Sequence, residues 1–373
     1  MQYRQYADTD IMISALGFGA MRLPKDDDYA VECMRRALEL GVNFIDTASG
    51  YSAGDPPERG YSEVLVGRAI KAVPREEVYI STKNAVRDPS GEAWREQLEG
   101  SLERLDTDYI DFYQVVHAMS WDSYTNKFRP EGCGLEEALK AREEGLIRHM
   151  GFSSHDSPEN MIRMLDEGLF ENIILQYNLL DRANEPVIAH AAENNISVFV
   201  MGPVGGGRLG MRSERIEEMV PDQVTTPELA IRFVLSNPGV TSAMSGMNTI
   251  EMVEENAATA SREEPLSDQE REAIELALEE NRRLAELYCT GCEYCMPCPQ
   301  DVGISRIFSA MNMHRVWGLT DVAKRMYARL GPDNRHGYLQ ADACVECGQC
   351  EEKCPQDIPI IEQLKESHEV LSE

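Results

Sequence analysis

The 373-residue chain is short of positive charge: 36 lysines and arginines stand against 65 aspartates and glutamates, a formal net charge of −29. Such a surface repels phosphate backbones and anionic membrane faces, which argues against nucleic acid or lipid headgroups as the main partner. Long apolar runs are missing as well. No stretch approaches the ~18 residues of a membrane-spanning helix. The first ten residues, MQYRQYADTD, lack the apolar centre of a secretory leader. Aromatic residues make up only 7% of the chain, yet hydrophobic residues reach 42%, enough for a large core. The expectation is an acidic cytoplasmic protein.

Cysteine is sparse over most of the chain and concentrated near its end. Eight of the ten cysteines form two runs, Cys289-x2-Cys292-x2-Cys295-x2-Cys298-Pro and Cys344-x2-Cys347-x2-Cys350-x3-Cys354-Pro. A cysteine at every third residue lets several thiolates converge on one cuboidal iron–sulfur core, and the following proline stiffens the loop exit. The pattern points to two 4Fe–4S clusters. A zinc site is the weaker reading, because each run supplies third and fourth cysteines that a pair of C-x2-C ligands would leave over. Disulfides do not suit a reducing compartment. The second run matches the bacterial ferredoxin pattern in full; the first has two residues rather than three before its last cysteine. Resemblance to two-cluster ferredoxins implies that Cys289, Cys292, Cys295 and Cys354 hold one cluster and Cys344, Cys347, Cys350 and Cys298 the other. Between the runs, ISRIFSAMNMHRVWGLTDVAKRMYARL has helical spacing and predicts an inserted helix pair. The isolated Cys33 and Cys133 read as small buried apolar residues.

The rest of the chain alternates short β-rich runs with amphipathic helical stretches. Eight strands are expected: SALGFGAM, VNFIDTA, VYISTK, YIDFYQVVH, IRHMGFSS, NIILQYNLL, ISVFVMGP and VTSAMSGM. Strict alternation with helices predicts an α/β fold, a parallel (β/α)8 TIM barrel, closed below by a hairpin at YRQYADTDIMIS. The barrel is expected over 1–262, a charged helical linker over 263–286, and an α-helical ferredoxin-like dicluster domain over 287–373.

In such a barrel the chemistry lies at the C-terminal strand ends. Asp46 ends the second strand, Tyr51 is five residues on, Lys83 ends the third and His117 ends the fourth. Singly, these are a turn cap, a loop tyrosine, a surface charge and an ordinary polar histidine; together they face one mouth. Here the chain resembles the aldo/keto reductase superfamily through LGFGAMRLP, NFIDTASGYS with SEVLVGRAI, VYISTK, DYIDFYQVVH, IRHMGFSSH, QYNLL and MVEEN, and its tail resembles the iron–sulfur subgroup. The resemblance implies NAD(P)-dependent hydride transfer between nicotinamide and a carbonyl or alcohol. Tyr51 would be the general acid. Lys83 is expected to lower its pKa, Asp46 to hold Lys83, and His117 to orient the carbonyl oxygen.

The same resemblance implies cofactor contacts from Gly19, Ala20 and Met21 after the first strand, from Ser153, and from Gln176 and Tyr177. It extends them to the loop Gly205, Gly206, Gly207, Arg208 and Leu209, and to Glu255 and Asn256. Ser154 stands where the family usually has asparagine. Met252 and Gly246 occupy positions where basic residues commonly hold the 2′-phosphate of NADPH, so NADP and NAD are left equal.

The leading expectation is therefore an oxidoreductase with a small-molecule carbonyl or alcohol substrate, with clusters serving a one-electron redox partner or holding their domain together. The other class considered is a non-catalytic electron-transfer or redox-sensing subunit. Trp121, Tyr124 and Phe128 suit either a substrate pocket or loop anchors, and Arg59 and Arg129 read as solvated charges, with contact to an anionic group as the other reading.

Overall fold

The computed structural model describes residues 1–220, 224–289, 293–334, 337–354 and 358–372, without the side chains of 282–288. Cys292 lies outside the described residues. Among the described residues twelve strands occur in chain order: β1 Tyr3–Gln5, β2 Met12–Ser14, β3 Leu16–Gly19, β4 Phe44–Asp46, β5 Ser52–Ala53, β6 Glu58–Arg59, β7 Tyr79–Lys83, β8 Ile110–Gln114, β9 Ile147–Ser153, β10 Asn172–Gln176, β11 Ser197–Met201 and β12 Ser242–Ser245. Eight of them close a barrel in the order β3-β4-β7-β8-β9-β10-β11-β12 and back to β3. All eight pairings are parallel. These are the eight strands read from the sequence, so the barrel is the observed fold.

The helices follow from composition and caps. In Asp27–Glu39 the Asp26 side chain accepts from Tyr29 N at 2.8 Å, acids fill the first turn where the helix dipole favours them, and Ala30, Val31, Cys33, Met34 and Ala37 form the buried face. Cys33 is thus a core residue, as expected. Cys133 is only half-buried, because it sits at the N-cap of the helix Gly134–Glu143 and pairs with Ser90 in an isolated bridge.

β1 and β2 pair antiparallel and seal the lower end of the barrel. Tyr6, from their turn, is fully buried in an aromatic plug with Phe44, Phe112 and Phe199. Its hydroxyl accepts from Asn172 Nδ2 at 2.9 Å, and Ala7 N donates to Ser197 Oγ at 2.8 Å. Both partners open their strands, so this end is filled with packing and the opposite mouth is left for chemistry.

The chain divides into two compact units, Met1–Gly206 with Ala230–Pro265, and Gly207–Leu229 with Leu266–Glu373. The second contains the helices Asp268–Tyr288, Ile304–Arg315, Thr320–Ala328 and Ile360–Leu371. The middle two are the helix pair expected between the cysteine runs. Val302, Ile307, Phe308, Met311, Tyr327 and Leu364 form its core, and Cys289, Cys295, Cys298, Cys344, Cys350 and Cys354 pack against that core. The segment Gly207–Leu229 joins this unit through bonds from Ser213 Oγ to Trp317 O at 2.6 Å and from Arg215 Nη1 to Val316 O at 3.2 Å. A linear reading of the chain has no means of seeing that membership.

Candidate active site

Strand periodicity builds the centre of the mouth. Residues two apart on a strand share a face, so Ser81 and Lys83 of β7 lie on the same side of the sheet, where both reach Asp46 of β4. Asp46 is in register with Ser81. Lys83 Nζ donates to Asp46 Oδ1 at 2.6 Å and to Thr47 O at 2.7 Å, while Ser81 Oγ donates to the same Asp46 oxygen at 2.8 Å. Lys83 is 2% exposed and Asp46 5%, so the ammonium is held by a carboxylate and a carbonyl in place of water. Ser81 was not singled out from the sequence; the signal was its place two residues before Lys83.

The loop after β4 carries Tyr51 back over this pair. Ser49 Oγ donates to Lys83 O at 2.8 Å, Tyr51 N to Ala48 O at 3.0 Å, and Gly60 N to Tyr51 O at 2.8 Å. Lys83 Nζ lies 4.9 Å from the centre of the Tyr51 ring. His117 meets that ring edge-on with centroids 5.8 Å apart. Its own backbone N–H donates to Asn84 O at 2.8 Å, next to Lys83 in the chain. The structure thus brings all four residues together.

Electrostatics refine the expectation for Tyr51. Burial raises its pKa above the ordinary 10.0, Lys83 pulls it down and Asp46 pushes it up, with a net rise. The expected lowering by Lys83 is present but outweighed, because a buried phenolate loses hydration that one ammonium does not replace. Burial alone would lower the pKa of Lys83, yet Asp46 and Tyr51 raise it on balance, so the ammonium stays charged. Burial, Lys83, His155 and Arg59 lower His117 to about 4. A neutral imidazole therefore faces Tyr51 at pH 7, with an N–H to donate.

The residues assigned to cofactor contacts fall on strand ends, in the loops that follow them and on the helix Ile250–Ala260. Gly19 closes β3, Ala20 N donates to Asp46 O at 2.8 Å, and Met21 is exposed. Ser153 Oγ accepts from Ala118 N at 2.9 Å. Ser154, buried, donates to Met119 O at 2.7 Å and accepts from Asp156 N at 3.1 Å, so its short side chain serves the local turn. Gln176 Nε2 donates to Asp181 Oδ2 at 2.5 Å; Tyr177 packs 5.6 Å from Phe233 and its hydroxyl donates to Glu185 Oε1 at 3.1 Å. Gly205, Gly206 and Gly207 have φ of 59°, 66° and 90°, a left-handed run that favours glycine. Arg22 Nη1 donates to Gly206 O at 2.6 Å, a tie to this loop that sequence reading missed. Arg208 and the buried Leu209 follow in the second unit. Glu255 is exposed, and Asn256 Nδ2 donates to Ser245 Oγ at 3.2 Å.

In the loop after β8, Tyr124 and Phe128 are buried and therefore anchor the loop. Trp121 lies under the guanidinium of Arg163, which is 3.9 Å from its ring centre.

In the second unit, Cys295 and Cys298 of the first run and Cys344, Cys347 and Cys350 of the second line one small cavity together with Val302, Ile304 and Leu364. Glu346 N donates to Cys344 Sγ at 3.4 Å, the kind of backbone donor that steadies a thiolate. Among the described residues no three His, Cys, Asp or Glu side chains come together closely enough to hold a single metal ion. Cysteine sulfurs set around an apolar lining are the donor set that a cuboidal iron–sulfur core takes.

Fold, mouth and cysteine cavity together define a nicotinamide-type barrel oxidoreductase with an iron–sulfur module. Residues 15–279 match the aldo/keto reductase family and 288–358 the 4Fe–4S dicluster domain. The chain belongs to the aldo/keto reductase family. It is 30% identical to the uncharacterized oxidoreductase YqkF of Bacillus subtilis over 74% of this chain and 96% of that protein. Identity to the NADH-specific methylglyoxal reductase of Escherichia coli is also 30%, over 67% of this chain and 90% of that protein. Among solved structures it is similar to the holo form of aldo-keto reductase AKR11C1 from Bacillus halodurans, with a TM-score of 0.64 and 30% identity, covering 74% of this chain and 96% of that one. The chain is therefore an oxidoreductase that uses a nicotinamide cofactor.

Proposed function

We propose that the chain reduces a small aldehyde or ketone with NADH, using Tyr51 as proton donor. The observation that carries this reading is the buried Lys83 ammonium held between Asp46 and the Tyr51 ring. When bound, nicotinamide supplies hydride to the carbonyl carbon. The residues of this chain then manage the oxygen. The Tyr51 hydroxyl gives it a proton, the neutral His117 holds it with an N–H donor, and the Lys83 ammonium stabilises the phenolate left behind. Asp46, Ser81 and the Thr47 carbonyl keep that ammonium in place. A barrel serving only as scaffold has no use for such a buried charge, which costs several kcal/mol to desolvate. Tyr51→Phe tests the assignment: cofactor binding, read by nicotinamide fluorescence, should persist while carbonyl reduction falls at least about 100-fold. Near-normal turnover would remove Tyr51 as the acid.

The preference for NADH rests on Met252 and Gly246, which bring no cation to the expected 2′-phosphate position, and on the exposed acids Glu254 and Glu255 beside it. Arg36 on the neighbouring helix is already paired with Glu254 at 2.7 Å and Glu39 at 3.0 Å. The E. coli relative named NADH-specific points the same way.

The second unit, in the same reading, holds two 4Fe–4S clusters and exchanges single electrons with a redox partner in the cytoplasm. Cys298, Cys344, Cys347 and Cys350 would bind one; Cys289, Cys292, Cys295 and Cys354 the other. Hydride moves as a two-electron unit and a cluster passes one electron at a time, so barrel turnover needs no iron. Cys347→Ser should abolish reduction of the protein by a one-electron donor and spare nicotinamide-dependent turnover.

A further inference from the structure

Arg59 and Arg129 look alike in the sequence, but the structure separates them. Arg129 pairs with Glu167 at 3.2 Å. Arg59 sits in β6 opposite Ser52, the residue after Tyr51, and its Nη2 donates to Ala85 O at 3.2 Å. Among the described residues its guanidinium meets that carbonyl and no carboxylate. In a chain with 65 acids to 36 bases, an arginine left without an acid beside the catalytic tyrosine needs a reason.

Gly50 shows what the guanidinium faces. A Cβ on Gly50 would lie 3.9 Å from Arg59 Nη2, 3.9 Å from His117 Nδ1 and 3.2 Å from Ala85 Cβ. Arg59 Nη2 and His117 Nδ1 therefore both approach the position that a side chain on Gly50 would take, and they stand at most twice 3.9 Å apart. Arg59 is also among the charges that lower the pKa of His117, which places its guanidinium within electrostatic reach of that ring.

We propose that the substrate is a short aldehyde or ketone carrying its own carboxylate or phosphate, which Arg59 binds while the carbonyl oxygen faces Tyr51 and His117. This rests on the reductase reading given above. A planar guanidinium offers two parallel donors to such an anion, and Arg59, with no carboxylate beside it among the described residues, brings an uncompensated positive charge to the mouth. A neutral carbonyl compound leaves those donors to water and gains nothing from them.

The test compares matched pairs on the holoenzyme with NADH: succinic semialdehyde against pentanal for the carboxylate, and glyceraldehyde 3-phosphate against glyceraldehyde for the phosphate. In wild type the anionic member of one pair should have the higher kcat/KM, and the pair that shows it identifies the anion. Arg59→Gln should lower that anionic-to-neutral ratio about tenfold or more, chiefly through KM, and Arg59→Lys should restore part of it. A ratio unmoved by Arg59→Gln in both pairs overturns the inference. If wild type reduces none of the four compounds, the reductase reading fails instead, and butyrate binding to the protein with NAD, measured by calorimetry, decides this one. Affinity weakened by Arg59→Gln supports it, and equal affinity refutes it.

Discussion

Lys83 donates to Asp46 Oδ1 at 2.6 Å while its ammonium lies 4.9 Å from the centre of the Tyr51 ring. The carboxylate thus fixes the cation and the cation serves the phenol. Removing either end should damage catalysis in different ways. Lys83→Met leaves Asp46 buried without its countercharge and Tyr51 without its partner, so kcat should fall about 1,000-fold, with some loss of stability as well. Asp46→Asn keeps the volume and one acceptor and should lower kcat by about 100-fold. Single-turnover rates with cofactor affinity measured in parallel would show this; intact kcat in Lys83→Met would dissolve the proposed role of the pair.

The pH dependence follows from two shifted groups. Tyr51 is raised above 10.0, so the free protein keeps its acid form throughout the neutral range and kcat/KM for reduction should stay level from pH 6 to pH 9. Alcohol oxidation needs the phenolate and should climb through the same interval. A reduction profile that falls with an apparent pKa near 7 would contradict the burial argument.

His117 gives a separate stability signature. Its folded value is about 4 against 6.5 for an ordinary histidine, so the unfolded chain takes up a proton that the fold refuses. Its contribution is complete above 6.5 and is lost as pH falls toward 4. His117→Gln should therefore show a smaller drop in melting temperature between pH 7 and pH 5 than wild type. Equal drops would show that His117 titrates normally.

Much of this was legible in the sequence because the signals are local. Eight strands, their helices and the N-terminal hairpin appear as runs with the right period, and of the four central residues Asp46 and Lys83 end strands while Tyr51 and His117 sit in the loops that follow, where a barrel places chemistry. What stayed hidden depends on packing. The sign of the Tyr51 shift is a contest between burial and Lys83, and burial has no sequence signature at one residue. Tyr124 and Phe128 as loop anchors, Arg59 and His117 converging on Gly50, and the membership of Gly207–Leu229 in the second unit all arise from contacts across long sequence distances.

Coenzyme choice can be moved by one side chain. Met252 is exposed on the helix Ile250–Ala260, one turn before Asn256. Met252→Arg should strengthen NADPH binding about tenfold by giving the 2′-phosphate a cation, with little change for NADH. If wild type already prefers NADPH, its phosphate is held elsewhere and the NADH assignment falls.

A tight backbone approach offers a stability check away from the site. A Cβ on Gly67 would come 2.7 Å from Leu105 O and 2.9 Å from Leu105 C, main-chain atoms at the end of the neighbouring helix Gly91–Leu105 that have no rotamer to escape by. Gly67→Ala should cost about 1–3 kcal/mol through forced separation of the helices. Denaturant melting at unchanged m-value would register it; a neutral result would mean that the helices part freely.

The last prediction concerns which cysteines share a cluster. Cys295 and Cys298 belong to the first run in sequence, yet both line the same cavity as Cys344, Cys347 and Cys350 of the second, and of the two only Cys298 is assigned to the second run's cluster. If ligation crosses between runs, anaerobically prepared wild type should carry about eight iron and eight sulfide per chain. Cys298→Ser should then disturb the cluster of the second run, and Cys354→Ser the cluster of the first. Pairing each with Cys347→Ser separates the cases: Cys298→Ser with Cys347→Ser strikes one cluster twice and should leave about four iron. Cys354→Ser with Cys347→Ser strikes both and should leave almost none. The reverse pattern would establish uncrossed ligation, and four iron in wild type would show that the shortened first run does not complete its site.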